Sequence, residues 1–294
     1  MESKTFQNRA HKELLALRQK YIDVIDVKKP TSIDAAIELS KVVSKLSPLV
    51  GNMLEFYIVD VLNKIEWGCD GKWLRQDPDF PDAIFKSSAL NQNVGFEVKA
   101  WYPFATEITG RFKTSTDILE QNLYDVALIA WVPEFIFWGK PQIIDVGIFN
   151  GLSVAEARNK HYHQPPRYVV REPQDTSDRT SNLKQRNTLG FRFQSNDNNQ
   201  ITTAAKYMQE IGMTNNYNTS VECQDKIKAL FSNFEYREDT NYAKIDRIEH
   251  EGIEKFKEQV LSLKYKGESI RSWKNLMSES NEETFKLKLK SLLV

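Results

Sequence analysis

Residues 77–85, Asp77-Pro78-Asp79-Phe80-Pro81-Asp82-Ala83-Ile84-Phe85, and residues 94–99, Val94-Gly95-Phe96-Glu97-Val98-Lys99, decide how this chain is read. Ala83-Ile84-Phe85 and Val94 to Lys99 have the apolar character of strands, and the polar stretch Lys86 to Asn93 between them reads as a turn. Working outward, Asp125 to Val132 is a near-continuous apolar run, the pattern of a strand buried on both faces. Gln142 to Phe149 and Tyr168 to Val170 add two more strands. Helices are expected over 11–27, where Leu14, Leu15, Leu17, Tyr21, Ile22 and Ile25 recur near a 3.6 period, and from a Thr31 or Ser32 cap to about Leu46. Further helices are expected over Gly51 to Leu62, Thr116 to Leu123 and Val154 to His161. Strands with intervening helices define an α/β sheet covered on both sides. A core over 1–200 and a mainly helical C-terminal subdomain over 201–294, packed on that core, are the expected organisation.

The composition limits what the chain can be. Its 294 residues carry 40 Lys and Arg against 40 Asp and Glu, so no overall polycation coats nucleic acid here; a local basic groove is still compatible with neutrality. With 16 Phe, 11 Tyr and 6 Trp, the chain has enough bulk for a sizeable core. No apolar run reaches the ~18 residues that span a bilayer, so no membrane is expected. The charged start MESKTFQNRAHKELL is neither a secretory nor a transit signal. Two cysteines, Cys69 and Cys223, cannot build a disulfide framework and read as free thiols, which makes a reducing cytoplasm the simplest location.

The chemistry lies in the acids and the lysine. Asp82 stands at the start of one strand, and Glu97 and Lys99 occupy positions i and i+2 of the next, so the last two share a face. If the strands pair as a hairpin, all three converge at one end of the sheet. Two carboxylates make an oxygen-rich site suited to Mg²⁺, and an adjacent ammonium can orient a water and offset charge in a transition state. Phosphodiester hydrolysis is the natural reaction. Glu55 adds weight, because an acid inside an apolar helix is costly unless it faces a site. Pro78-Asp79 is a competing match to Pro81-Asp82, but only the latter runs directly into a strand.

On these residues the chain resembles type II restriction endonucleases of the PD-(D/E)xK superfamily, closest in layout to the EcoRV-like branch. The likeness covers roughly residues 45–200 and rests on Glu55, Pro81-Asp82 and Glu97-x-Lys99. The acid before x-Lys is commonly Asp in that branch and is Glu97 here. The resemblance implies a restriction-endonuclease-like core with a central mixed β-sheet flanked by helices. It implies that Asp82 and Glu97 bind the divalent metal, that Lys99 assists the attacking water, and that Glu55 supports or holds the metal. It also implies 5′-phosphate and 3′-hydroxyl ends, which would be blunt in the EcoRV-like case.

DNA contacts follow from two segments. Between Arg179 and Arg192 the chain carries Arg179, Lys184, Arg186 and Arg192 without an acid, interleaved with Asn182, Gln185, Asn187 and Thr188. Lys and Arg suit phosphates and guanine edges, and Asn and Gln suit adenine. This segment therefore reads as the recognition loop. After the second strand, Thr106, Thr109, Arg111 and Lys113 are suitable phosphate donors, with Gly110 permitting close approach. Glu107 is a further acid in that segment. His161 and His163 lack metal-ligand companions at matching spacing and read as groove or cap residues. The expected protein is a Mg²⁺-dependent endonuclease cutting a short palindrome in double-stranded DNA as a homodimer, with a companion DNA methyltransferase in the cell. A structure-specific repair or junction-resolving nuclease of the same superfamily, a non-catalytic DNA-binding protein and a metal phosphoesterase acting on small substrates are the rival readings.

Overall fold

The structure is a computed structural model that describes residues 2–23, 25–77, 79–105, 107–163, 171–173, 198–210, 236–238, 243–277 and 282–293. Its contacts divide the chain into one unit formed by Met1–Ala155 with His250–Val294, and a second formed by Glu156–Glu249.

The first unit begins with α1 (Ser3–Leu15), α2 (Ile33–Val42), a 3-10 turn over Val43–Leu46 and α3 (Ser47–Asn63). Strands β1 (Lys72–Arg75), β2 (Ala83–Lys86) and β3 (Val94–Trp101) follow, then α4 (Thr116–Gln121), β4 (Leu123–Pro133) and β5 (Pro141–Asn150). The five strands form one sheet in the order β1-β2-β3-β4-β5. All neighbours are antiparallel except β3 and β4, which run parallel. A parallel neighbour needs a crossover, and the connection carrying α4 supplies it. The fold is thus α/β with a mixed central sheet flanked by helices.

Alternation along β3 assigns the two faces. Phe96 stacks on Trp73 with ring centres 5.6 Å apart, and Phe6 of α1 lies 4.4 Å from Phe85, so α1 covers the face of Val94, Phe96 and Val98. Buried Val50, Leu54, Ile58 and Leu62 seat α3 on the sheet. Gly95, Glu97, Lys99 and Trp101 point to the opposite face. β4 is buried along nearly its whole length, as its apolar run predicts.

α5 (Gly151–His163) begins in the first unit and ends in the second, whose other described elements are β6 (Arg171–Pro173), α6 (Asn198–Glu210) and β7 (Tyr236–Glu238). β6 and β7 pair antiparallel, Arg171 opposite Glu238. The chain then returns to the first unit as α7 (Glu251–Ser262), β8 (Lys264–Tyr265), β9 (Glu268–Ser269), α8 (Ile270–Leu276) and α9 (Glu282–Leu293). Ile253, Phe256 and Val260 form the buried side of α7. Phe256 lies 6.2 Å from Trp101 and 5.9 Å from Phe149, so α7 covers the Trp101 face. The alternating Lys-Leu tract 286–290 is helical.

Three expectations are corrected. The helix expected over 11–27 lies earlier, at Ser3–Leu15, because residues 19–22 run along the outer edge of β5 and Val27 pairs with Gly139 just ahead of it. Gln19 N–H donates to Ile143 O at 2.7 Å, Ile22 N–H to Pro141 O at 2.8 Å, and Gly139 N–H to Val27 O at 2.7 Å. Covering an open sheet edge outweighs the helical spacing of a few apolar side chains. β1 is a strand the sequence reading lacks. The helix expected from Gly51 begins earlier, at Ser47, with Pro48 in its first turn, where a missing N–H costs nothing. The helical run Ile33–Asn63 consequently becomes long and apolar enough to qualify by composition as a membrane-crossing segment, although its inner residues pack on the sheet. The strand expected at 168–170 lies outside the described residues.

One cap carries a pH prediction. Ile253 N–H donates to His250 Nδ1 at 3.3 Å at the start of α7, and Nε2 lies 3.1 Å from Ser153 Oγ. Only an imidazole with bare Nδ1 can accept, and burial holds the His250 pKa below its ordinary 6.5, against the opposing pull of Glu251. The folded state therefore resists a proton that the unfolded chain accepts. Stability from this group is complete above pH 6.5 and falls as the pH drops below it. His250→Asn keeps an acceptor at the cap without the titration. In thermal melts taken from about pH 7.5 to about pH 5, the variant is expected to lose less Tm than the wild type.

Candidate active site

β2 and β3 pair with Ala83 opposite Phe96 and Ile84 opposite Gly95. Val98 lies past the end of β2, and the Asp82 side chain fills that gap: Val98 N–H donates to Asp82 Oδ2 at 2.7 Å. Lys99 Nζ donates to Glu97 Oε1 at 2.6 Å and to Asp82 Oδ2 at 3.3 Å. The three residues that strand periodicity places at one end of the sheet therefore meet around a single ammonium. Their side chains are only 13–16% exposed. Asp79, the competing acid, is exposed.

Gly95 makes this approach possible. A Cβ there would come within 2.6 Å of Pro81 Cγ and 2.8 Å of Ala83 O. Neither is the loose end of a flexible chain, so Gly95→Ala is expected to destabilise the protein by about 1–3 kcal/mol through overpacking. It should also shift Asp82 off Val98 N–H. Denaturant unfolding checks the first effect. A structure of the variant, or hydrogen exchange at the Val98 amide, checks the second.

Electrostatics follow from burial and proximity. Burial raises the Glu97 pKa above its ordinary value; Lys99 opposes the rise and Asp82 adds to it. Burial pulls the Lys99 pKa down, but Glu97 and Asp82 together outweigh it and hold the ammonium charged. Glu55 on α3 is also raised, first by burial and then by the field of Asp82, with Arg75 and Lys99 opposing. Its carboxylate pairs with Arg75 at 2.8 Å, and Arg75 also reaches Asp77 at 2.9 Å. Glu55 thus stands close enough to feel the triad but is held by Arg75 rather than by Lys99.

Sequence reasoning misses Arg75 and its neighbour Gln76. Arg75 holds Glu55 and lies over the Phe56 ring at 4.4 Å. Gln76 N–H donates to Asp82 O at 3.0 Å, which braces the chain just ahead of β2. The one signal in the sequence is a cation two residues before Asp77.

The connection after β3 packs against Lys99 at Gly110. A Cβ at Gly110 would lie 3.0 Å from Lys99 Cδ. Ile108 and Phe112 are buried, the latter 6.1 Å from the Phe80 ring, whereas Thr109, Arg111 and Lys113 are exposed. These three expected phosphate donors therefore lie on the segment that packs against Lys99. Glu107 is half-buried. Thr106 lies outside the described residues, as do Arg179, Asn182, Lys184, Gln185, Arg186, Asn187, Thr188, Arg192 and Cys223. His161 and His163 fall in α5, and Cys69 is a free thiol.

Among the described residues, no three His, Cys, Asp or Glu side chains gather closely enough to hold an ion by themselves. Mg²⁺ usually takes one or two protein carboxylates and completes its shell with water and phosphate. The Asp82–Glu97 pair, two hard oxygen donors with one cation between them, suits that requirement in its chemistry. Family models, curated proteins and solved structures give no match to the chain.

Proposed function

We propose that the sheet and its triad form the restriction-endonuclease-like core of a Mg²⁺-dependent type II endonuclease acting on double-stranded DNA. One observation carries the reading: Lys99 Nζ bridges carboxylates delivered by two paired strands, at 2.6 and 3.3 Å. An arrangement that excludes most solvent yet retains two acids and a lysine is costly to folding, and phosphodiester hydrolysis uses each of these groups.

Asp82 and Glu97 would hold the Mg²⁺, which when bound polarises a phosphoryl oxygen and acidifies a water. Lys99 keeps its proton and orients the attacking water, offsetting negative charge that builds on the phosphate. Val98 N–H fixes the Asp82 carboxylate, and Arg75 fixes Glu55 behind it. Water oxygen bonds to phosphorus and the bond to O3′ breaks, which leaves a 5′-phosphate and a 3′-hydroxyl. Thr109, Arg111 and Lys113 hold neighbouring phosphates, and the stretch from Arg179 to Arg192 reads bases. As a homodimer the protein would match a palindromic site with one centre per strand. A partner methyltransferase would protect the host's own copies of that site.

The test is incubation with a plasmid of known sequence and Mg²⁺, then end-sequencing of the products. Discrete fragments sharing one sequence at their ends support the reading. Cleavage confined to branched or junction substrates would assign the chain to structure-specific nucleases instead. Duplex binding that persists in EDTA, with no cutting under any divalent ion, would make it a non-catalytic DNA-binding protein.

A further inference from the structure

The first three strands carry a row of side chains one step beyond their regular pairing. Arg75 of β1 stands opposite Ala83 of β2, and Ala83 opposite Phe96 of β3. One rung further, Gln76 N–H donates to Asp82 O at 3.0 Å, so the ladder continues with Gln76 opposite Asp82. The same step brings Asp82 level with Glu97. Strands lie about 4.8 Å apart, and residues of one rung share a face. Alternation then separates two sides of the sheet. Arg75 goes with Ala83 and Phe96 to the side where it holds Glu55. Gln76 goes with Asp82, Glu97 and Lys99.

Gln76 carries a second, independent signal. Among the described residues, the shielded side-chain polar atoms without a hydrogen-bond partner are Trp73 Nε1, Trp131 Nε1, the Tyr102 hydroxyl and Gln76 Oε1. The first three belong to large rings deep in the core, whose packing offsets a lost hydrogen bond. Gln76 is half-buried and has no such ring. An amide oxygen withdrawn from water without a partner is a cost to folding that a bound species can offset. Its neighbours decide which species. Asp82 and Glu97 are acceptors too, and Lys99 already donates to both. Three oxygens in one row call for a cation. Two carboxylates and a neutral carbonyl are a hard-donor set for a divalent ion that keeps waters in its other positions.

We infer that Gln76 Oε1 is a third protein oxygen on the divalent cation, beside Asp82 and Glu97. This rests on the proposed reading of those two acids as metal ligands. It gives β1 a direct part in the site.

The test uses the full chain without DNA, so it is separate from any cleavage assay. Gln76→Leu removes the oxygen and keeps comparable bulk. In EDTA the variant is expected to melt at or above the wild-type Tm, because an unpartnered acceptor has left a shielded place. Titration calorimetry with Mg²⁺ should show its affinity weakened at least about tenfold. Gln76→Glu should do the reverse. A third carboxylate lowers the Tm in EDTA, binds Mg²⁺ more tightly, and gains more Tm than the wild type when Mg²⁺ is added. A Gln76→Leu protein that binds Mg²⁺ within about threefold of the wild type overturns the proposal, and an earlier melt in EDTA would then mark Gln76 as structural. Asp82→Asn, titrated alongside, separates the two readings. Binding lost there but kept in Gln76→Leu sinks Gln76 alone. A wild type that binds no Mg²⁺, or binding that survives Asp82→Asn, removes the two acids and Gln76 with them.

Discussion

Lys99→Ala is expected to lower the rate of plasmid cleavage by a factor of about 10²–10⁴, while duplex binding in Ca²⁺ persists. The ammonium contributes twice. It lies within hydrogen-bonding reach of both carboxylates, so its removal leaves Asp82 and Glu97 facing each other without compensation. Two like charges in a poorly solvated site then favour protonation of one of them, which takes away a metal ligand. The same change also removes the group that orients water and offsets charge on the phosphate. Binding should survive because Thr109, Arg111 and Lys113 lie on a separate segment. Gel shifts in Ca²⁺ alongside single-turnover cleavage in Mg²⁺ separate the two effects. Turnover within about tenfold of the wild type would remove Lys99 from the chemistry.

Asp82→Asn should be equally severe in activity and much milder in stability. The side-chain carbonyl of the variant can still accept from Val98 N–H, so the end of β2 stays fastened to β3. What disappears is one negative charge from a site proposed to bind a divalent cation with only two carboxylates. Cleavage in Mg²⁺ is expected to fall below detection, with a Tm close to that of the wild type. Asp82→Ala, which also leaves the Val98 N–H without its acceptor, should lose cleavage and melt earlier. Mg²⁺ titration by calorimetry supplies the second readout: binding heat present in the wild type and absent in Asp82→Asn. Unchanged Mg²⁺ binding in that variant would count against the assignment of the metal ligands.

The part of the site that was legible in the sequence is the part that depends on local periodicity. Side chains two apart on a strand share a face whatever else the chain does, so Glu97 and Lys99 were bound to meet, and a short polar turn made pairing with Asp82 the simplest geometry. The cap at Ser32 and the doubly buried β4 were legible for the same reason. Arg75 was not, because β1 spans only four residues and carries too little alternation to stand out from the polar turns around it. Residues 19–22 misled because Tyr21 and Ile22 keep helical spacing while their backbone is claimed by β5, a partner more than a hundred residues away. The return of His250–Val294 to the first unit is likewise set by the apolar side of α7 meeting β5, a long-range event that composition does not encode.

The short reach of β2 has one more implication. Since Asp82 stands in for the next rung of the ladder beside Val98, placement of the triad and strand alignment are a single property of the polypeptide. A shift of one residue between these strands would send Glu97 and Lys99 through the sheet to the packed layer beneath α1. Variation that tunes such a site is therefore channelled into the segment that packs against Lys99, where side chains can change without disturbing the alignment. The hairpin itself tolerates little drift.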